Sequence, residues 1–122
     1  MKNLNILKNK KILVTGHTGF KGSWLVCYLK TEGAKIFGIS NKIPTHPSHY
    51  KISKSYNGIK DYRVDIRNRK KIVKIVNNIK PDYIFHLAAQ SLVKTSIIKP
   101  TETWETNLFG TLNLLESLRK LK

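Results

Sequence analysis

The chain is poor in acidic residues and in cysteine, and it contains no long apolar run. Its 122 residues include seven Asp and Glu and a single cysteine, Cys27. One cysteine excludes an internal disulfide framework and a cysteine-based zinc site. No stretch reaches the roughly 18 apolar residues of a membrane-spanning helix, and the first five residues form no apolar signal core. We therefore expect a soluble, cytoplasmic protein without a membrane partner or a metal site.

What the chain has in excess is positive charge: Lys and Arg number 23, and the formal net charge is +16. A clustered basic surface would indicate nucleic-acid binding, because it displaces counterions from phosphates. Here the lysines are scattered, and arginine, the better reader of bases and phosphates, occurs four times. Lys, Ile and Asn together make up 43 residues, and their codons are rich in A and T. Genome composition is sufficient to explain the charge, and we expect no nucleic-acid partner.

Short apolar runs alternate along the chain with stretches of helical periodicity. The predicted strands are residues 11–15, 35–40, 62–64 and 83–88, and the predicted helices are residues 20–33, 72–79 and 100 onward. The first helix has apolar residues at helical spacing at Phe20, Trp24, Leu25, Tyr28 and Leu29. The last helix has a stripe that we expect to be buried, at Trp104, Leu108, Leu112, Leu115 and Leu118. Residues 41–60 and 89–99 are predicted loops, and the second has room for one short turn of helix.

Strands that alternate with helices favour parallel pairing and right-handed crossovers. Strands that are apolar throughout favour a sheet covered on both faces. The sequence therefore predicts the α/β class, with a Rossmann-like, doubly wound parallel sheet of about four strands in the order 3-2-1-4. A polar arm, residues 1–10, is expected to precede a single domain, residues 11–122.

The first strand leads into the first helix through a glycine-rich turn, Thr15-Gly16-His17-Thr18-Gly19-Phe20-Lys21-Gly22. Gly16 permits a tight turn, Gly19 lets backbone approach a pyrophosphate, and Gly22 lets the helix pack near the sheet. The helix N-terminus adds unpaired N–H groups and the positive end of its dipole. A Walker A loop also holds phosphate, but it needs Gly-Lys before the Ser or Thr, and here the order is Lys21-Gly22-Ser23. The turn therefore predicts a dinucleotide site.

Three further candidate positions follow strands two, three and four, at the sheet edge where such folds bind ligands. No carboxylate ends strand two, so Ser40 and Asn41 are the candidate partners of a ribose hydroxyl, and the choice between NAD and NADP stays open. Asp65 either accepts a hydrogen bond from an adenine amino group or caps the next helix. The small residues in Leu87-Ala88-Ala89-Gln90 either leave room for a ribose or serve close packing.

Three other patterns resemble sites but are better explained structurally. Tyr50 and Lys54 match Tyr-x-x-x-Lys by spacing, but they fall in the predicted loop after strand two. His46 and His49 lack the further ligands that a metal site needs. We interpret His86, which lies in an apolar strand, as a core histidine.

Four segments carry a family resemblance: Gly16-His17-Thr18-Gly19-Phe20-Lys21-Gly22-Ser23-Trp24-Leu25, Asp65-Ile66-Arg67, Phe85-His86-Leu87-Ala88-Ala89-Gln90-Ser91-Leu92-Val93 and Thr106-Asn107-Leu108-Phe109-Gly110-Thr111. Together they resemble the extended short-chain dehydrogenase/reductases, the NAD-dependent epimerase/dehydratase family, and most specifically the CDP-glucose 4,6-dehydratases. The sugar-nucleotide epimerases are less similar in the glycine-rich turn. The resemblance covers residues 11–119, which correspond to only the first part of the family's domain.

The resemblance implies NAD as a tightly held cofactor and a nucleotide sugar as substrate. In the implied reaction the C4 hydroxyl of the sugar is oxidised by hydride transfer, water leaves across C5–C6, and the hydride returns to C6. By position, the cofactor would be held by Gly16, His17, Thr18, Gly19, Phe20, Lys21 and Gly22 at the pyrophosphate, by Asp65 and Ile66 at the adenine, and by Leu87, Ala88, Ala89 and Gln90 at the ribose and nicotinamide. Asn107 would brace strand four.

The family's catalytic threonine, its acid/base pair and its Tyr-x-x-x-Lys fall beyond the last helix of this chain. The resemblance therefore implies a partial NAD-binding Rossmann domain with no catalytic residue of its own and no turnover alone. We expect self-association, because the fourth strand would form an uncovered sheet edge. Two alternatives remain open: a non-catalytic dinucleotide-binding module, and another nucleotide-sugar epimerase or dehydratase.

Overall fold

The computed structural model describes residues 6–119 and 121, and it contains a four-stranded sheet flanked by helices. The strands are β1 (Lys11–Thr15), β2 (Lys35–Ser40), β3 (Lys60–Arg63) and β4 (Tyr83–His86). The helices are α1 (Phe20–Thr31), α2 (His49–Ile52), α3 (Arg69–Ile79), α4 (Val93–Ile98), α5 (Pro100–Trp104) and α6 (Gly110–Arg119). A π-helical turn, Glu105–Phe109, joins α5 to α6.

All strand pairs in the described sheet are parallel, in the order β3-β2-β1-β4. In the centre of the sheet, Leu13 of β1 lies opposite Phe37 of β2 and Ile84 of β4. Parallel strands need crossover connections, and here α1 joins β1 to β2, residues 41–59 with α2 join β2 to β3, and α3 joins β3 to β4. The predicted α/β class, parallel pairing and strand order are confirmed. All four strands end at the same edge, and this edge therefore carries the candidate site.

The two faces of the sheet bury separate cores, because successive strand residues point to opposite faces. Leu13 and Ile39 pack on one face against residues of α3 and α6, including Ile72, Val76 and Leu114. On the other face, Ile12, Val14 and Ile36 pack against Val26 and Leu29 of α1. Burial of each such side chain contributes about 1.5–3 kcal/mol. Helices therefore pack on both faces of β1, and this packing fixes the position of the turn that follows the strand.

The apolar residues at helical spacing in α1 do not all face the core: Leu29 is buried and Leu25 packs against the core, but the three aromatic residues are exposed. Phe20 is 72% exposed, and Trp24 and Tyr28 are each 56% exposed. The buried residues of this helix are Gly22, Ser23, Val26 and Leu29. Small residues near its start let the helix backbone approach the turn and the sheet, so the larger aromatic residues lie on the outer side.

The buried stripe predicted for the last helix is wrong at four of its five residues for the same reason, while the fifth, Leu118, packs against the core. Trp104, Leu108, Leu112 and Leu115 are all exposed to about half or more of their surface, between 46% and 65%. The helix instead buries Gly110, Leu114 and Ser117. A Cβ at Gly110 would lie 2.5 Å from Ile66 Cγ2, so the helix meets the residues after β3 at van der Waals contact.

The two predicted loops contain short helices: α2 in residues 41–60, which the sequence did not indicate, and α4 in residues 89–99, where a short helical turn was compatible with the prediction. Of the predicted polar arm, residues 1–5 lie outside the described part. Within residues 6–10, Leu7 packs against the α1 core, and Asn9 donates a backbone hydrogen bond to Gly33 at 2.9 Å. The division into arm and domain remains a prediction. Within residues 6–119 and 121, no helix has the length and apolarity that crossing a membrane requires.

Candidate functional site

The glycine-rich turn connects β1 to α1 at the carboxyl edge of the sheet. Gly16 has φ +73°, a conformation that favours glycine, and its N–H donates to Ile39 O at 2.8 Å. A Cβ at Gly22 would collide with the Gly16 carbonyl, so α1 begins in contact with the turn. At Gly19, the N-cap of α1, a Cβ would meet only Gly16 O, at 3.3 Å, among the described atoms within 4 Å. The turn is closed at Gly16 and Gly22 and open at Gly19, which fits a closely approaching anion.

The side chains of His17 and Thr18 point into the protein and brace this turn. Thr18 Oγ1 donates to Lys42 O at 2.6 Å, and Thr18 N donates to Ser40 Oγ at 3.4 Å. His17 is fully buried, with Nδ1 3.1 Å from Ser40 Oγ. A Cβ at Gly38 would lie 2.5 Å from the His17 ring, so the ring occupies the space that this glycine leaves open. The Ser40 hydroxyl is therefore occupied by the turn itself.

A polar cluster, which we call the Asp61 cluster, joins two buried residues, His17 and Tyr50, to the more exposed Asp61 and Arg63. Asp61 Oδ2 accepts hydrogen bonds from Tyr50 OH at 2.5 Å and from Arg63 at 2.7 Å. His17 Nε2 lies 3.0 Å from Asp61 Oδ1, although the contact is not aligned as a good hydrogen bond. Burial lowers the pKa of His17, and burial with the hydrogen bond to Asp61 raises the pKa of Tyr50. We therefore treat His17 as neutral at pH 7, with the Asp61 charge balanced by Arg63.

Sequence reasoning missed the Asp61 cluster. The available signal was Asp61 and Arg63 two residues apart on a strand, which places them on the same face. Tyr50 belongs to this cluster through its hydroxyl, whereas Lys54 is exposed and lies outside α2 with φ +52°. The Tyr-x-x-x-Lys spacing of these two residues therefore has a structural explanation.

Phe20 and Lys21 begin α1 and are exposed. Phe20 contacts the ring of His49 edge-on, with centroids 6.0 Å apart, and the same ring stacks on Trp24 at 4.2 Å. His49 Nδ1 also lies 2.8 Å from Ser23 Oγ. These contacts dock α2 onto α1, and a shallow recess between them is lined in part by Thr18 and Phe20.

Asp65 follows β3 and is bound by its neighbour Arg67. Arg67 donates to both carboxylate oxygens, with Nη2 2.7 Å from Oδ2, and its other Nη lies 3.2 Å from Glu105 Oε2. Hydrogen bonding by Arg67 lowers the pKa of Asp65, so this carboxylate is ionised at pH 7. The alternative role of Asp65 as a helix cap is wrong, since α3 is capped by Asn68, which accepts from Lys71 N at 3.1 Å. Ile66 is buried beside it.

The residues after β4 lie directly against the glycine-rich turn. A Cβ at Gly16 would be 2.7 Å from Leu87 C, Leu87 O and Ala88 N, so the turn rests on the Leu87–Ala88 peptide. Thr15 holds that peptide: its carbonyl accepts from Leu87 N at 3.0 Å, and its Oγ1 accepts from Ala88 N at 3.2 Å. The structure therefore brings Gly16, Leu87 and Ala88 together. Asp65 lies two strands away, at the end of β3.

Gln90 is fixed by the helix that follows. Asn107 Oδ1 accepts from Gln90 N at 2.7 Å, and Asn107 Nδ2 donates to Gln90 O at 3.0 Å. The Gln90 side chain donates to Thr103 Oγ1 at 3.0 Å and accepts from Leu92 N at 2.7 Å. The expectation that Asn107 braces the fourth strand is confirmed for the loop that continues from it. Ala89, between these anchored residues, is exposed.

Comparison with known proteins gives consistent results. A family model described as GDP-mannose 4,6 dehydratase matches residues 13–122. CDP-glucose 4,6-dehydratase of Salmonella typhimurium is 40% identical over 117 residues, which cover 96% of this chain and 33% of that protein. CDP-paratose 2-epimerase of Salmonella typhi is 35% identical over 113 residues, covering 90% of this chain and 33% of that protein.

Solved structures with the same fold include epimerases. The UDP-glucose 4-epimerase of Thermus thermophilus, solved in complex with NAD, has a TM-score of 0.79 and 32% identity over 90% of this chain and 34% of its own. The Thermotoga maritima enzyme with UDP-glucose has a TM-score of 0.79 and 31% identity, over 92% and 35%. This chain therefore spans about a third of the length of the relatives that it matches. The family resemblance drawn from its motifs is confirmed, and the chain belongs to the GDP-mannose 4,6 dehydratase family.

Proposed function

We propose that this chain is the amino-terminal, NAD-binding part of a cytoplasmic nucleotide-sugar dehydratase of the CDP-glucose 4,6-dehydratase type. The 40% identity to the Salmonella typhimurium enzyme supports this choice over the epimerases, whose structures share the fold at 31–32% identity. His17-Thr18 inside the glycine-rich turn and Phe20-Lys21-Gly22-Ser23-Trp24 after it are the motifs that favour the dehydratase.

The observation that carries the proposal is the opening at Gly19. The turn is filled by backbone at Gly16 and Gly22, while the Cβ position of Gly19 is open apart from one carbonyl contact. Gly19 is also the N-cap of α1, where unpaired N–H groups and the helix dipole favour an anion. The pyrophosphate of NAD is such an anion. The backbone from Gly16 to Gly22 would hold it, while the side chains of His17 and Thr18 keep the turn in shape.

The remaining predicted residues have roles along the same edge. Asp65, ionised and oriented by Arg67, would accept a hydrogen bond from the adenine amino group, with Ile66 beside it. Ser40 would contribute to the ribose side mainly by fixing the turn, because its hydroxyl is bound to Thr18 N. The 87–90 segment, held by Thr15 and Asn107, would line the ribose and nicotinamide.

Bound NAD supplies a hydride acceptor, which makes the reversible oxidation of a sugar hydroxyl possible. For the whole enzyme we propose dehydration of a nucleotide hexose by internal hydride transfer. The 122-residue chain would bind and orient the cofactor without turnover, because the family resemblance implies proton-transfer residues that fall beyond its last helix. We propose no nucleic-acid partner, because the lysines are scattered rather than clustered.

Calorimetric titration with NAD tests the proposal. Gly19→Val should abolish binding while the protein stays folded, because its side chain enters the open position rather than the protein interior. Gly58→Asn is the matched control: Gly58 has φ +75° with open space around it, and Asn tolerates that conformation. Equal affinities for wild type and Gly19→Val would contradict the site.

Two further measurements separate the alternatives. A reading frame continuing past Lys122 into a fifth strand and a helical Tyr-x-x-x-Lys would support an enzyme, whereas unrelated sequence would support a non-catalytic binding module. Duplex DNA should show no binding at physiological salt, whereas a nucleic-acid binder would show affinity with a steep salt dependence.

A further inference from the structure

His86, the last residue of β4, sits between two threonine hydroxyls from different elements. Its Nδ1 lies 2.6 Å from Thr15 Oγ1 of β1, and its Nε2 lies 2.9 Å from Thr111 Oγ1 of α6. Both distances are typical of hydrogen bonds. The half-buried ring therefore links β1 to α6 through its two nitrogen atoms.

The direction of each hydrogen bond follows from the number of protons that each group can donate, which is one for a threonine hydroxyl and one for a neutral imidazole. Thr111 gives its only hydroxyl proton to Asn107 O, 2.7 Å away, so its oxygen must accept from His86 Nε2–H. A neutral imidazole with its proton on Nε2 has a bare Nδ1, which accepts the hydroxyl proton of Thr15. Thr15 Oγ1 in turn accepts from Ala88 N at 3.2 Å. The donors thus run in one direction, from Ala88 through Thr15, His86 and Thr111 to Asn107, and we call this chain of bonds the His86 relay.

We propose that His86 is a positioning residue, which as the neutral Nε2–H tautomer fixes the Leu87–Ala88 peptide beneath the glycine-rich turn. Gly16 rests on that peptide at about the closest possible approach, so any rotation of the peptide would move the turn. The other end of the relay is Asn107, whose side chain fixes Gln90. The relay therefore holds Ala88 at one end, and at the other end it binds the backbone of the residue whose side chain holds Gln90. Burial also lowers the pKa of His86, which favours the neutral form.

This inference rests on the proposed function, in which the glycine-rich turn and the 87–90 segment hold NAD. It adds His86, which does not contact NAD directly in the proposed binding mode. The relay acts through Thr15, and the half of it nearer the cofactor is the Ala88–Thr15–His86 half. Loss of that half should weaken NAD binding more than loss of the Thr111 half.

The direct test is nitrogen-15 NMR of the imidazole rings in the full-length gene product at neutral pH, with the His86 ring assigned through its own backbone resonances in the wild-type protein. The relay requires the shift pattern of a protonated Nε2 and a bare Nδ1. A Nδ1–H tautomer or a charged ring would overturn it. This readout needs neither cofactor nor activity, and it decides the proposal even where a variant fails to fold.

The second test uses variants that each keep one half of the relay. Asn places an amide oxygen near the position of Nδ1, whereas Gln places an amide nitrogen near Nε2. His86→Gln and Thr15→Val should therefore weaken NAD binding by about three- to tenfold, the cost of one hydrogen bond, and His86→Asn should weaken it less than His86→Gln. Thr31→Val is the matched control, since the Thr31 hydroxyl donates to Tyr28 O at the far end of α1.

The outcomes also separate this inference from the proposed function. If wild type does not bind NAD, the proposed function fails, and the relay is then judged by the NMR pattern and by hydrogen exchange of the Ala88 amide. That exchange should become faster in Thr15→Val and remain unchanged in Thr31→Val. If wild type binds NAD and His86→Gln and Thr15→Val bind it equally well, the relay does not position the cofactor site.

Discussion

Asn107 uses both ends of its side-chain amide on the backbone of one residue, Gln90. Its Oδ1 accepts from Gln90 N at 2.7 Å, and its Nδ2 donates to Gln90 O at 3.0 Å. A side-chain amide can imitate a neighbouring peptide group in this way, with one donor and one acceptor in a plane. The loop after β4 is thereby paired with a helix as it would be paired with another strand.

We expect Asn107→Leu to destabilise the protein by about 1 kcal/mol, because two backbone groups lose their partners in a partly exposed loop. Urea unfolding of both proteins measures the change. Asn78→Leu is the matched control, since Asn78 is exposed on α3, and it should change stability by less than about 0.5 kcal/mol. Equal effects of the two substitutions would contradict a specific role for the Asn107 amide.

Gly38 and His17 should behave as a coupled pair. A Cβ at Gly38 would lie 2.5–2.6 Å from three atoms of the His17 ring, so Gly38→Ala is expected to cost about 1–3 kcal/mol through overpacking. In a His17→Ala background the same change meets no ring and should cost much less. A double-mutant cycle of unfolding free energies measures the coupling. Strict additivity of the two single changes would show that the ring moves away at no cost.

His17 should also make stability depend on pH. Burial holds the pKa of His17 below its usual value, while the unfolded chain keeps a value near 6.5. As the pH falls below about 6.5 the unfolded state binds the proton first, so stability is complete above that pH and is lost as the pH falls towards the folded pKa. Asp61, which opposes this shift, and Arg63, which reinforces it, both face the ring.

Urea unfolding at about pH 7.5 and about pH 5.5 measures that loss, since these values bracket the ordinary histidine pKa. His17→Gln should lose less stability between the two than wild type does. His86, whose pKa is also lowered by burial, contributes equally in both proteins and cancels in the comparison. An identical loss in wild type and His17→Gln would show that His17 titrates normally in the fold.

The two edges of the sheet differ in their protection against pairing with another chain. Edge strand β3 has the sequence Lys-Asp-Tyr-Arg, whereas edge strand β4 has Tyr-Ile-Phe-His with Tyr83 and Phe85 partly exposed. Charged side chains block edge pairing, so association of the 122-residue chain should occur through β4. The net charge of +16 opposes it, and association should therefore increase with salt, which screens the repulsion.

Sedimentation at several protein and salt concentrations tests this expectation. Tyr83→Lys should reduce association, because it places a charge on the β4 edge, while Lys60→Arg on β3 should leave it unchanged. A wild-type chain that stays monomeric at high protein and salt concentrations would contradict the edge argument.

The strands and their order were predictable because the signal is local: each apolar run ends in turn residues, and the alternation with helices limits the topology. Spacing predicted the buried face of α3, where Ile72, Ile75, Val76 and Ile79 are buried, but not the buried faces of α1 and of the last helix. In α1 the contact with the turn is made through Gly22 and Ser23, which have little or no apolar side chain. A pattern that weights large apolar residues therefore identified Trp24 and Tyr28, on the exposed side.

The candidate site was predictable only where a motif is continuous. The glycine-rich turn is continuous, and its position between β1 and α1 is as expected. The Asp61 cluster and the His86 relay join residues that are far apart in sequence, such as His17 with Asp61 and Thr15 with His86. Their contacts depend on the register of the parallel strands, which no local pattern specifies.

The π-helical turn at Glu105–Phe109 gives the long last helix two phases. Such a turn adds about one residue to an α-helix, and one residue corresponds to a rotation of about 100°. Side chains before and after it therefore follow separate helical wheels. Thr103, before the turn, is aimed at Gln90, while Gly110, after it, meets Ile66. An uninterrupted α-helix could not orient both side chains in this way. The inserted residue lets one continuous helical segment contact the loop after β4 and the loop after β3.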